Sequence, residues 1–225
     1  MDLQLQGKTA VVTGASRGIG LAAAQALAHE GVRVVGAART ITSELEKVSV
    51  AAVAADLSTA DGATTVVDVA LAELGGIDIL VNNVGLGDVD RFGLGGFLDI
   101  GDEQWRELFN LNLCSAVWTT LAALPSLLER CGAIVNIASI NSRVPAAGPV
   151  GYSEAMAALT AFGKRLSEEF GPRGMRVNAV SPGVVGTSLW RHPQGFGAKL
   201  AAANGLGHQE FLAASASSSA WAPAA

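Results

Sequence analysis

The stretch Thr13-Gly14-Ala15-Ser16-Arg17-Gly18-Ile19-Gly20 constrains the fold of this chain more than any other. It follows the apolar run Thr9-Ala10-Val11-Val12 and opens an alanine-rich segment, Leu21 to Glu30, with helical character. A strand, a glycine turn and a helix start in that order make a seat for a dinucleotide pyrophosphate. The helix N-terminus presents unpaired N–H groups and a partial positive charge to the phosphates. Gly14 permits the tight turn, Gly18 lets the backbone approach a phosphate, and Gly20 lets the helix pack close to the strand. Ser16, Arg17 and Ile19 belong to the same seat. An ordinary βα turn would carry similar glycines, but the flanks and the further βα units downstream favour the nucleotide.

Apolar, strand-like runs alternate with helical patterns along the chain. The candidate strands are Thr9 to Thr13, Arg33 to Ala37, Val50 to Ala54, Ile77 to Asn82, Gly132 to Ala138 and Arg176 to Ser181. Helices are expected near Gly20 to Glu30, Thr59 to Leu74, Asp102 to Glu129 and Pro149 to Phe170. Continuous apolar runs mark strands buried on both faces, which implies α/β architecture: a doubly wound parallel sheet in a three-layer α/β/α sandwich. Ligands of such sheets bind at the carboxyl ends of the strands. The 225 residues suffice for a single domain. Pro125 is expected to bend or end its helix before Leu128. The glycine-rich segment Gly85 to Gly101 leaves the fourth strand at its carboxyl end; it either borders the cleft or serves as a spacer. After about Thr187 the pattern decays. Residues 1–190 read as the nucleotide-binding domain, and 191–225 as a lid remnant with a mobile or loosely docked Ala/Ser tail.

Bulk properties exclude several classes. The formal net charge is −5 and no long basic run exists, which argues against nucleic acid as a partner. No stretch of about 18 uninterrupted apolar residues appears, so no membrane span is expected. Met1-Asp2-Leu3-Gln4 lacks the basic and apolar regions of a signal peptide, which points to the cytoplasm. Cys114 and Cys131 lack metal or redox spacing and read as buried free thiols. His29, His192 and His208 are scattered, read as surface or incidental side chains, and imply no metal site.

Asn82-Asn83-Val84-Gly85, Ser139, Tyr152 and Pro182-Gly183 follow the glycine loop in order. With them the chain, over about residues 5 to 190, resembles the short-chain dehydrogenase/reductase family. The resemblance implies a Rossmann-type domain that moves hydride between a nicotinamide cofactor and a carbonyl or alcohol. It also implies a Ser-Tyr-Lys site supported by an asparagine. Asp56, followed by Leu57, resembles the acid that hydrogen-bonds the adenine. Asn83 and Gly85 occupy the family's NNAG motif, with Val84 in place of its alanine. Asn112 matches the asparagine that holds an active-site water. Pro182, Gly183, Val185 and Thr187 match the loop at the nicotinamide end.

The chemistry of Ser139 and Tyr152 stands on its own terms. Hydride addition to a carbonyl develops negative charge on oxygen. A hydroxyl from Ser139 stabilises that oxygen and the phenol of Tyr152, the only tyrosine in the chain, donates a proton to it. A tyrosine on the rim at a helix start is the plainer alternative. The family places a lysine four residues after the tyrosine, and this chain has Met156 there. A free phenol has a pKa of about 10, and a cation one turn away would lower it. A thioether supplies neither charge nor donor. Lys164, roughly 18 Å further along a helix, is too distant to substitute, and Arg143 is no geometric equivalent. Turnover is therefore expected to be impaired. A catalytically weak NADP(H)-binding sensor or scaffold is the alternative; an epimerase or dehydratase fits less well, since it too would want the lysine.

The second strand ends Gly36-Ala37-Ala38-Arg39-Thr40, with Ala38 where NAD-preferring relatives carry an acid. Arg39 and Arg17 together suit a 2′-phosphate, so NADP(H) is expected over NAD(H). The family usually continues with another helix and a seventh strand, which the tail does not resemble. The family's tetramer uses those elements, so a homodimer is expected, through Asp102 to Glu129 and Pro149 to Phe170, with a homotetramer as the alternative. Leu86 to Gly101 and Ser188 to Leu212 are expected to set which carbonyl or alcohol is taken, but neither has a decisive polar pattern.

Overall fold

The computed structural model describes residues 2–85 and 95–218; expectations for the loop at 86–94 and for the tail beyond Ser218 lie outside the described residues. Six strands form one parallel sheet: β1 (Thr9–Thr13), β2 (Arg33–Ala38), β3 (Ala51–Ala54), β4 (Ile79–Asn82), β5 (Ala133–Ile137) and β6 (Arg176–Val180). Their order is β3-β2-β1-β4-β5-β6. The chain runs outward from β1 to β3, then returns to the other side of β1 to lay down β4. That reversal leaves a crevice above the carboxyl ends of β1 and β4. Val11 pairs with Val35 on one side and Leu80 on the other, which sets the register at the centre.

Both faces of the sheet are covered, which is why these strands read as unbroken apolar runs. Helices α1 (Gly18–His29) and α2 (Ser43–Val48) cover one face, where Ala24 and Leu45 meet Ala10, Val12 and Val34. On the other lie α3 (Ala60–Leu74), α5 (Ser115–Glu129) and α6 (Tyr152–Phe170), where Val66, Leu127 and Leu166 meet Val11, Leu80 and Ile134. α2 is absent from the sequence-based expectation, although Thr42 caps it by accepting from the Leu45 N–H.

The expected helix Asp102 to Glu129 is interrupted. α4 (Asp102–Phe109) joins α5 through a π turn at Asn110–Cys114, a change of pitch that apolar spacing does not reveal. Pro125 does not end α5, which continues to Glu129. The carbonyl it deprives of a partner is that of Leu121, whose side chain is exposed to water. By length and composition this 28-residue run could cross a bilayer; here it packs against α3 and β4. The thiols are not buried as expected: Cys114 is half-buried, and Cys131 is exposed in the turn after α5.

The decay expected after Thr187 is replaced by three helices, α7 (Ser188–Arg191), α8 (Phe196–Ala203) and α9 (His208–Ser218). Trp190 organises them. Its ring meets Phe196 edge-on at 5.2 Å and stacks on Phe211 at 6.3 Å. Nε2 of His208, read as incidental from sequence, lies 2.7 Å from the Trp190 carbonyl. The small residues thought too weak to order the segment include many alanines, the best helix formers.

At the amino ends of the central strands, buried Asp78 ties β4 to β1. It accepts from the Thr9 N–H at 2.9 Å and the Thr9 hydroxyl at 2.8 Å, and Lys8 and Arg130 each lie 3.6 Å away. Burial raises its pKa, but the two Thr9 donors and the two cations outweigh that and hold it below the ordinary 3.8. Asp78→Ala is expected to cost about 2–4 kcal/mol, read from urea unfolding, because two Thr9 donors lose their acceptor. A depressed folded pKa stabilises above the unfolded value. The wild-type advantage should therefore be full at neutral pH and fade as pH falls through 3.8 and below.

Candidate active site

The glycine loop joins β1 to α1 and is tied to the end of β4. Gly14 and Gly18 hold φ of +63° and +58°, open to glycine at little cost. A Cβ on Gly20 would overlap the Gly14 carbonyl and the Asn83 amide. Asn83 is the brace: its side-chain amide donates to the Thr13 and Gly14 carbonyls at 3.0 and 3.1 Å, and its N–H donates to the Thr13 hydroxyl at 2.9 Å. No side chain caps α1 and no acid sits in its first turn, so its leading N–H groups are free for an anion. Across the groove Gly18 faces Thr187, whose Cγ2 would be 3.4 Å from an added Cβ.

A cavity of about 940 Å³ opens along the carboxyl ends of the strands. Gly14, Ser16, Arg17, Gly18 and Ile19 line one end, beside Arg39, Asp56 and Leu57. Asn83 and Gly85 form its floor near β4, and Ser139, Tyr152 and Met156 its far side. Pro182, Gly183, Val185 and Thr187 close it from above. Ser58 holds Asp56 below the ordinary carboxylate pKa, donating from its hydroxyl at 2.7 Å and its N–H at 3.0 Å; Arg39 adds to the effect against a small burial penalty.

Two expected residues are not on this wall. Gly20 sits buried behind the loop it permits. Asn112, fully buried in the π turn, donates to the Leu108 carbonyl at 2.9 Å and stands behind Gly85. Only the missing Gly85 side chain separates the Asn112 amide oxygen from that floor; a Cβ there would lie 3.2 Å from it. Asn82 is likewise beneath the site, donating to Thr120 Oγ1 at 3.1 Å and Asn136 Oδ1 at 2.9 Å.

Ser139 and Tyr152 line the same cavity. Ser139 is buried at the end of β5 and accepts from the Asn141 N–H at 3.2 Å. Tyr152 opens α6 after Gly151, whose N–H is capped by the Glu154 carboxylate at 2.6 Å. Burial pushes the phenol above its ordinary pKa, and the Ser139 hydroxyl opposes this only in part. Met156 lies one turn on, 1 % exposed, packed with Ala138, Leu159 and Ala116. Among the described residues, no cation lines this end. Lys164 is exposed and pairs with Glu168 at 3.1 Å, and Arg143 is exposed and off the wall.

Sequence reasoning missed Asn141 and Ser215 and did not single out Trp190, Phe196 and Leu200 within Ser188 to Leu212; all five line the same cavity. The only signal was the large Trp190 and Phe196 shortly after Pro182-Gly183, in a segment without clear periodicity.

The sequence pattern of the family described as short chain dehydrogenase matches residues 8–194. An uncharacterized oxidoreductase of Bacillus subtilis is 37 % identical over 195 residues, covering 83 % of this chain and 72 % of the relative. The 3-oxoacyl-(acyl-carrier-protein) reductase of Salmonella typhimurium is 35 % identical over 198 residues, covering 84 % and 78 %. The crystal structure of L-sorbose reductase from Gluconobacter frateurii, complexed with NADPH and L-sorbose, superposes with a TM-score of 0.80 at 35 % identity, covering 91 % of this chain and 79 % of that one.

Proposed function

This chain belongs to the short-chain dehydrogenase family, and from that premise we propose that it is an NADP(H)-dependent oxidoreductase whose turnover is held down by Met156. Its reaction interconverts a small carbonyl compound and the corresponding alcohol. The observation that carries this reading is that Ser139 and Tyr152 line the same cavity as an uncapped helix N-terminus and its glycine loop.

The residues present fit the cofactor. The glycine loop and the free N–H groups of α1 suit a pyrophosphate, and a side chain on Gly20 would destroy that cradle. Arg17 and Arg39 converge on the cavity at the end of β2, beside uncharged Ala38, where a 2′-phosphate would be matched by two guanidinium groups. Asp56 and Leu57 would hold the adenine, and the loop from Pro182 to Thr187 the nicotinamide. When bound, the cofactor supplies or accepts the hydride. Ser139 orients the carbonyl oxygen, and Tyr152 donates the proton that completes the alcohol. Asn112, behind Gly85, would position the water that restores that proton.

Titration with NADPH and NADH tests the cofactor assignment. NADPH is expected to bind more tightly, and Arg39→Ala to cut that preference about tenfold, the loss of one charge-assisted contact. Equal affinities for the two nucleotides in the unaltered chain would defeat it. A second reading, an NADP(H)-binding protein without useful turnover, is favoured by the burial of Met156 among apolar side chains. Binding without carbonyl-dependent oxidation of NADPH would support it. Pairing of two copies is proposed through α4, α5 and α6, as the resemblance implies. Light scattering is expected to return the mass of a dimer.

A further inference from the structure

We propose that the reacting end of this cavity takes an uncharged, largely apolar ketone or aldehyde, an aryl or alkyl carbonyl compound, and excludes keto acids. The inference rests on the hydride-transfer reading above. Beyond Ser139 and Tyr152 the wall is built by Trp190, Phe196 and Leu200 from the C-terminal helices, with Leu111 and Pro149 also lining the cavity. This is a fixed surface. Phe196 is 5 % exposed and meets the Trp190 ring edge-on, Phe211 stacks on that ring, and His208 holds the Trp190 carbonyl.

Charge is confined to the other end. Among the described lining residues the charged ones are Arg17, Arg39 and Asp56, which belong to the glycine loop and the ends of β2 and β3. The cations of α7 and α8, Arg191 and Lys199, are off the wall, and the Arg191 guanidinium lies against Gly186. The polar side chains beside the aromatic surface, Asn141, Ser188 and Ser215, are neutral. A carboxylate placed there would lose its hydration and gain no counter-charge from the described lining side chains, whereas an aryl or alkyl group gains by leaving water.

The test uses the full chain saturated with NADP+, with which a ketone cannot turn over, and titrates it calorimetrically with acetophenone, phenylglyoxylate and dihydroxyacetone. Acetophenone is expected to bind about tenfold or more tightly than the keto acid or the polar ketone. Trp190→Ala should weaken acetophenone about tenfold with NADP+ affinity retained, and Trp190→Phe should keep most of it. Retained NADP+ affinity shows that each variant is folded. Phenylglyoxylate or dihydroxyacetone binding as tightly as acetophenone, or no ketone binding to a chain that holds NADP+, overturns the substrate inference alone. Failure to bind NADP+ overturns it together with the reading beneath it.

Discussion

Met156→Lys is expected to raise carbonyl-dependent NADPH oxidation about 10²- to 10⁴-fold at neutral pH, the range that positioned acid–base assistance supplies. The cause is electrostatic. Tyr152 is pushed above the ordinary phenol pKa by burial, and the Ser139 hydroxyl does not restore it. A weak acid is a slow proton donor, and its conjugate base is scarce near neutrality. An ammonium one helical turn away stabilises the phenolate and lowers that pKa. Met156→Gln, of similar length and without charge, should gain little, which separates charge from shape.

The pH dependence carries the same signature. Alcohol oxidation needs the deprotonated phenol, so with Met156 its rate should still be climbing at pH 10, the ordinary phenol value. With lysine the climb should end at lower pH. Carbonyl reduction needs the protonated phenol and should fall at high pH sooner in the lysine variant. A buried ammonium without a nucleotide is costly, so the variant should melt lower than the parent and recover when NADPH is added. Equal rates and equal pH profiles in the two proteins would remove Met156 from the account of turnover.

Gly20→Val is expected to abolish nucleotide binding and to cost roughly 3 kcal/mol or more in stability, as overpacking against backbone does. The new Cβ would overlap the Gly14 carbonyl and the Asn83 amide, and both are held by the hydrogen bonds that tie the loop to β4. Neither is the free end of a flexible side chain, so the loop itself must move. Gly171→Ala is the control: a Cβ there meets nothing within 4 Å, and its φ of −55° suits any residue. Its stability should change by less than about 0.5 kcal/mol. Urea unfolding and NADPH titration read both variants. A Gly20→Val protein that binds NADPH normally would show that the close approach at this glycine is unimportant.

The parallel sheet, its order of elements and the position of the glycine loop were legible because each rests on local regularity. Strands buried on both faces write continuous apolar runs, and the glycine spacing marks its turn directly. Ser139 and Tyr152 line one cavity because a strand end and the start of the next crossover helix come to the same rim of a parallel sheet. α2 was missed because it is one and a half turns long and carries a single buried residue, Leu45. The π turn was missed because Asn110 to Cys114 keep a helical pattern while the hydrogen bonding changes. That change accompanies a fully buried Asn112 behind Gly85 rather than on the cavity wall.

The architecture and the absence of a cation one turn after Tyr152 are written in the order of residues. Both depend on neighbours within a turn or a strand, where chain geometry leaves little choice. The packing of distant segments placed Met156 in an apolar cluster at the cavity's edge and set Trp190 and Phe196 on the cavity wall, with Phe211 stacked behind Trp190. Those contacts join side chains distant along the chain, and their energies come from water excluded between them, which no local pattern records.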